Sequence, residues 1–242
     1  MPCAGVFFWI MTIEQQLSDW RKLALELESQ LNKVVIGQQV VIRQLFVAIF
    51  ARGHVLLEGS VGVGKTTLLR AVAQGLGGDY QRIEGTIDLM PADLIYYTFL
   101  DRNAKPCVDP GPLLAKGEKL STFFFNEINR ARPQVHSLLL RVMAEGRVSA
   151  FNNDYHLPHI QVFADRNRVE REETFELPAA ARDRFLMEIG MDAPAEDKLL
   201  DALMFDPRYH DVEKLVGEVD SGLLPYYQLN EIAQLIQQTV TA

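Results

Sequence analysis

The chain has 242 residues, enough for one α/β domain of ordinary size with a small appendage. Apolar residues make up 48% and charged residues 23%, and the formal net charge of −8 argues against a surface that coats nucleic acid. The two cysteines, Cys3 and Cys107, exclude a disulfide framework and suit a reducing, cytoplasmic setting, and no stretch is long and apolar enough to span a membrane.

Residues 1–10 are apolar but lack the basic flank of a targeting signal, and Met11-Thr12-Ile13-Glu14 reads as a more natural start, so 1–11 are expected to form an extra tail. A helix is expected over 12–32, with Leu17, Trp20, Leu23, Leu27 and Leu31 on one face. That stripe favours packing on its own domain over docking on a partner. Ile36-Gly37-Gln38 breaks the helix, a second one follows over 38–50, and Gly53 leads into a short apolar strand at 55–57. Beyond the glycine-rich segment 59–66, helical spacing resumes over 68–76. Further expectations are a strand at 80–83, a short turn or helix at 90–93, a hairpin arm at 96–100 and a turn at Asp109-Pro110-Gly111-Pro112. The apolar run 122–125 fits a strand covered on both faces. A helix over 133–145, a hairpin over 147–157 and strands at 161–164 and 187–189 follow. From 195 onward only helices are expected, over 195–204, 212–219 and 228–240. Strands alternating with helices predict an α/β fold, a three-layer P-loop NTPase domain with a parallel sheet between helices. The core should cover 12–192, and 193–242 should form a partial helical lid.

Gly59-Ser60-Val61-Gly62-Val63-Gly64-Lys65-Thr66 matches the pattern G-x-x-x-x-G-K-[ST] between a strand and a helix, the context that pattern needs. The glycines let successive backbone N–H groups point inward, making an anion nest at a helix N-terminus. Lys65 is then the side chain for the outer phosphates and Thr66 the hydroxyl for Mg²⁺, with Thr67 completing the nucleotide-binding set. A triphosphate, ATP, is the expected ligand.

A P-loop enzyme needs a second element, an acidic pair at the end of an apolar strand that helps hold Mg²⁺ and polarises the attacking water. Here the strand 123–125 ends in Asn126-Glu127. Glu127 supplies the water-activating carboxylate, whereas Asn126 keeps only a neutral carbonyl oxygen for the metal shell. At an effective dielectric of about 20, one charge several ångströms from a divalent ion is worth a few kcal/mol. Hydrolysis is therefore expected to be impaired more than binding. His156 and His159 lack a third ligand and do not read as a metal site.

At Asn126-Glu127-Ile128-Asn129-Arg130-Ala131 the sequence resembles the MoxR family of AAA+ ATPases, whose second motif reads D-E-I-N-R-A. The likeness extends over about 35–191. Val35-Ile36-Gly37-Gln38 resembles the family's adenine-side segment, so Gly37 and Gln38 join the binding set. Asp88-Leu89-Met90-Pro91-Ala92-Asp93, Gly111-Pro112 and Met143-Ala144-Glu145-Gly146-Arg147-Val148 resemble further family blocks. Leu177-Pro178 and Asp183-Arg184-Phe185 resemble L-P-E-A-Q-L-D-R-F, making Arg184, ahead of Arg182, the candidate arginine finger for a neighbouring subunit's site. Asn167 falls at the polar sensor of A-T-Q-N-P. The resemblance implies a hexamer-like homo-oligomeric ring that hydrolyses ATP with Mg²⁺ and remodels protein partners, often ones with a von Willebrand A domain; from the net charge and the lack of an apolar span, no nucleic acid or membrane is expected as a partner.

The sequence departs from that pattern at four places. Asn126 replaces an aspartate, the sensor segment reads Ala164-Asp165-Arg166-Asn167-Arg168, Ala179 and Ala181 replace a glutamate and a glutamine, and the lid motif G-A-S-P-R is missing. All four bear on hydrolysis or its sensing. Two alternatives to an active motor follow: a nucleotide-binding regulatory or scaffold subunit with little hydrolysis, and a decayed copy.

Overall fold

A computed structural model describes residues 13–167 and 175–240. The expected tail therefore lies outside the described residues, as does Arg168. Five strands form one parallel sheet: β1 (His54–Glu58), β2 (Asp79–Glu84), β5 (Leu120–Asn126), β8 (Gln161–Arg166) and β9 (Phe185–Gly190), in the order β2-β5-β8-β1-β9. Two small antiparallel hairpins stand apart from it, β3 (Tyr96–Leu100) with β4 (Pro106–Pro110), and β6 (Arg147–Ala150) with β7 (Asn153–His156). The turn expected at Asp109-Pro110 is thus displaced: both residues end β4, and the chain turns at Gly111, whose N–H donates to Ile95 O at 2.7 Å.

Side chains along the central strands alternate between two cores. Val55, Leu57, Phe124, Phe163 and Ile189 face one side, and Leu56, Phe123, Phe125, Val162 and Ala164 face the other. Both sides are covered, which is why β5 reads as an unbroken apolar run and is buried along its whole length. The first side is covered by α1 (Ile13–Val34), α2 (Gln39–Phe50) and α3 (Lys65–Leu76), the second by α4 (Pro133–Glu145). Leu27 and Leu31 of α1 are fully buried, and Trp20 meets the Phe50 ring edge-on at 6.2 Å, so the apolar stripe of α1 is spent on its own domain.

The C-terminal helices α6 (Asp197–Phe205), α7 (Val212–Gly217) and α8 (Leu229–Val240) follow, after the short α5 (Ala179–Arg182). Leu215, Val216, Leu224, Leu229 and Ile232 join the core beneath α1–α3. Gly222 and Leu224 donate backbone N–H groups to Gln74 O and Gly75 O, which ties this segment to the end of α3. The parallel sheet brings the C-terminal ends of β1, β5 and β8 together, and that edge carries the site.

Candidate nucleotide site

Beyond Glu58 the chain turns at Gly59, where an added Cβ would lie 2.1 Å from Met191 O at the end of β9. No side chain fits there, so the loop can hug the sheet only with glycine. Gly62 and Gly64 take positive φ of 85° and 92°, the left-handed conformation that turns backbone N–H groups into the loop's concave side. Helix α3 then starts at Lys65. The Lys65 ammonium is buried; it donates to Gly59 O at 2.8 Å and Asn167 Oδ1 at 3.0 Å, and pairs with Asp165 Oδ2 at 3.0 Å. All three of its N–H donors are thereby accounted for.

Opposite stands the end of β5. Glu127 has φ 53°, a left-handed conformation that costs a non-glycine residue about 1–3 kcal/mol. Its backbone N–H donates to Asp165 Oδ1 at 2.5 Å, a charge-assisted bond that holds the kink. Its side chain is aimed by Asn167, whose Nδ2 donates to Oε1 at 3.1 Å, while Oε2 pairs with Arg130 at 3.0 Å. Beneath the following turn, His136 Nε2 lies 2.7 Å from Ile128 O, and burial lowers the His136 pKa, so the ring is a neutral donor. Gly85 closes the other side, its N–H donating to Asn126 O at 2.7 Å; a Cβ there would sit 2.2 Å from Glu127 O.

Between the loop and the end of β5 lies a cleft of about 320 Å³ lined by residues that include Gly62, Gly64, Lys65, Thr66, Arg82, Asn126, Glu127, Asp165 and Asn167. A second, largely apolar cleft of about 480 Å³ lies across the loop. It shares Val61, Gly62, Gly64 and Thr67 with the first and is walled by Val35 and Ile36 on one side and Leu200, Leu203, Tyr209 and Val212 on the other. A polar cleft with a buried cation beside an apolar one suits a phosphate chain joined to a flat base. The oxygen donors on the polar side, the Thr66 hydroxyl, the Asn126 amide and the Glu127 and Asp165 carboxylates, are the hard set that Mg²⁺ takes. Among the described residues no three His, Cys, Asp or Glu side chains cluster to hold a metal alone, so Mg²⁺ here would be shared with phosphate oxygens.

Residues 54–187, more than half of the chain, match the family described as ATPase family associated with various cellular activities (AAA). Protein MoxR of Methylorubrum extorquens is 62% identical over 229 residues, covering 95% of this chain and 67% of that protein. The chain belongs to the MoxR family of AAA+ ATPases. Chaperone MoxR1 of Mycobacterium tuberculosis is 36% identical over 172 residues, 70% of this chain and 44% of that one. A crystal structure from Cytophaga hutchinsonii superposes with a TM-score of 0.75 at 29% identity, covering 92% of this chain and 67% of that chain. The chain thus spans about two thirds of the length of the M. extorquens relative and less than half of the M. tuberculosis one.

Within this MoxR-family fold, Gly59, Ser60, Val61, Gly62, Val63, Gly64, Lys65, Thr66 and Thr67 border one or both clefts or form the loop between them. Asn126, Glu127 and Asn167 meet on the polar side. Gly37 and Gln38 stand just past the apolar wall of Val35 and Ile36; buried Gln38 donates from Nε2 to Asp192 O at 2.6 Å, and Gly37 abuts Pro194. Arg184 and Arg182 are exposed near the start of β9 and do not border this chain's own clefts. Sequence reasoning missed Asp165, Gly85, His136 and the apolar wall contributed by α6, α7 and Tyr209. Only Asp165 left a usable trace: along a strand of period two it shares a face with Phe163, the face that Phe124 and Asn126 present from β5. Arg166, one step on, points the opposite way, where it pairs with Glu58 at 2.8 Å and with Glu188. The two charges that precede the sensor position, Asp165 and Arg166, therefore serve opposite faces of the sheet.

Proposed function

We propose that this chain is an ATP-driven AAA+ motor subunit that assembles into a cytoplasmic ring and remodels protein partners, a chaperone-like role of the kind the M. tuberculosis relative's name describes. The observation that carries it is the convergence of a buried Lys65, a kinked Glu127 and Asn167 on the concave side of an intact phosphate loop. The phosphates bind the loop N–H groups and Lys65, which exchanges its intramolecular partners for phosphate oxygens. Val35, Ile36, Leu200, Leu203 and Tyr209 hold the base. Glu127 orients and deprotonates the attacking water, and Asn167 fixes the carboxylate that does so. Bound Mg²⁺ would neutralise charge on the phosphates, held by Thr66 and its neighbours on the polar wall. Exposed Arg184 is free to enter a neighbouring subunit's site. A von Willebrand A domain is the partner class proposed from the family resemblance.

Asn126 supports a second reading, a nucleotide-binding scaffold subunit with little turnover. ATP binding and turnover by the unmodified chain, Lys65→Ala and Glu127→Gln separate the two. The motor reading expects Lys65→Ala to lose binding and Glu127→Gln to keep it while losing about 10²–10⁴ in turnover, the range for a general base. Tight binding with no turnover by the unmodified protein would support the scaffold reading. Absence of ATP binding would sink both.

A further inference from the structure

We propose that Asp165 supplies, from the neighbouring strand, the acidic charge that Asn126 does not, and that it makes nucleotide binding obligatorily dependent on Mg²⁺. This rests on the nucleotide-site reading above. P-loop chemistry needs a fixed carboxylate beside the hydroxyl of the loop. On β5 the residue facing the loop is an amide, Asn126. The parallel register pairs Phe125 with Ala164, so one step further along both strands Asn126 and Asp165 lie side by side on the face that α3 covers. Both border the cleft that holds Lys65 and Thr66. The charge expected at the end of one strand is thus present at the end of the next.

Asp165 is 1% exposed, so its charge requires a cation close by. Lys65 is that cation at 3.0 Å, and the Glu127 N–H occupies the other carboxylate oxygen. When Lys65 turns to the phosphates, buried Oδ2 loses its cation partner while the cleft gains the charge of a triphosphate. A second cation arriving with the nucleotide then takes the place of Lys65 beside Oδ2, with Arg82 also on the cleft wall, and the hard-oxygen set of Thr66, Asn126 and Asp165 suits Mg²⁺. Metal-free ATP brings its phosphate charge against the buried carboxylate with no cation seated between them, and binds more weakly.

The test measures affinity for a fluorescent ATP analogue, by the full chain, in excess MgCl₂ and in EDTA. For the unmodified protein the Mg²⁺ medium should bind at least about tenfold more tightly, the change that about 1.4 kcal/mol of charge interaction brings. Asp165→Asn should shrink that ratio to about threefold or less, chiefly by tightening binding in EDTA, where charge repulsion is relieved. Exchanging the two groups, Asn126→Asp with Asp165→Asn, should restore the ratio by returning a carboxylate to the same face. Equal affinities in the two media for the unmodified protein would overturn the inference without any substitution, so it does not depend on Asp165→Asn folding. Binding whose Mg²⁺ ratio ignores Asp165→Asn would overturn this inference alone. No binding in either medium would overturn the nucleotide-site reading and this inference with it.

Discussion

Lys65 and Asp165 form a buried ion pair at 7% and 1% exposure, and each has its remaining polar atoms bonded to protein. Such a pair adds little net stability over an apolar substitute, but removing one member strands the other in a medium that cannot solvate it. Lys65→Ala should therefore destabilise the nucleotide-free protein by about 3–5 kcal/mol, beyond abolishing phosphate binding. Denaturant midpoints of Lys65→Ala, Asp165→Ala and the double variant form a cycle that checks this, with the double variant less damaged than the sum of the singles. Additive losses would show that the two charges are not coupled. Glu127 depends on the same aspartate, because its left-handed backbone is held by the bond to Asp165 Oδ1.

At the scale of elements, the start of β1 is fixed by a histidine with two different bonds. His54 Nδ1 accepts the N–H of Val162 on β8 at 3.0 Å, and Nε2–H donates to Met143 O near the end of α4 at 3.2 Å. Only the neutral ring can do both, and burial lowers the His54 pKa below its ordinary value. His136 and His159 are also lowered by burial. The sign follows from proton counting: below about pH 6.5 the unfolded chain binds protons that the folded one refuses, so stability is complete above that pH and falls beneath it. Thermal midpoints should drop on acidification from about pH 6.5 to 5, and His54→Asn, which keeps an acceptor near Nδ1 but does not titrate, should flatten the drop. An unchanged slope would place the effect elsewhere.

At the scale of the whole molecule, Arg184 stands outside its own clefts, so the proposed finger acts only between subunits. Mixing makes this checkable. Arg184→Ala and Glu127→Gln subunits, each inactive alone, should regain part of the turnover when combined. An interface that sets an intact Glu127 pocket against an intact Arg184 is then complete. If mixtures stay as inactive as the separate variants, the finger role fails. The described residues include no helix long and apolar enough to cross a membrane.

Local pattern carried the fold a long way. The phosphate loop lies between a strand and a helix as its sequence requires, because Gly62 and Gly64 can adopt the positive φ and Gly59 the close approach that the turn demands. The unbroken run Phe123-Phe124-Phe125 announced a strand buried on both faces, and the period of α1 announced the face that packs. Sequence by itself determined the family, the α/β architecture and the loop, since these depend on neighbours along the chain. Tertiary structure alone decided where the acidic charge lies. Asn126 and Asp165 are 39 positions apart and separated by a helix and a hairpin, so the chain presents them as two unrelated departures. Parallel pairing of β5 with β8 sets them side by side against Lys65, and there a missing carboxylate and an extra one become one arrangement.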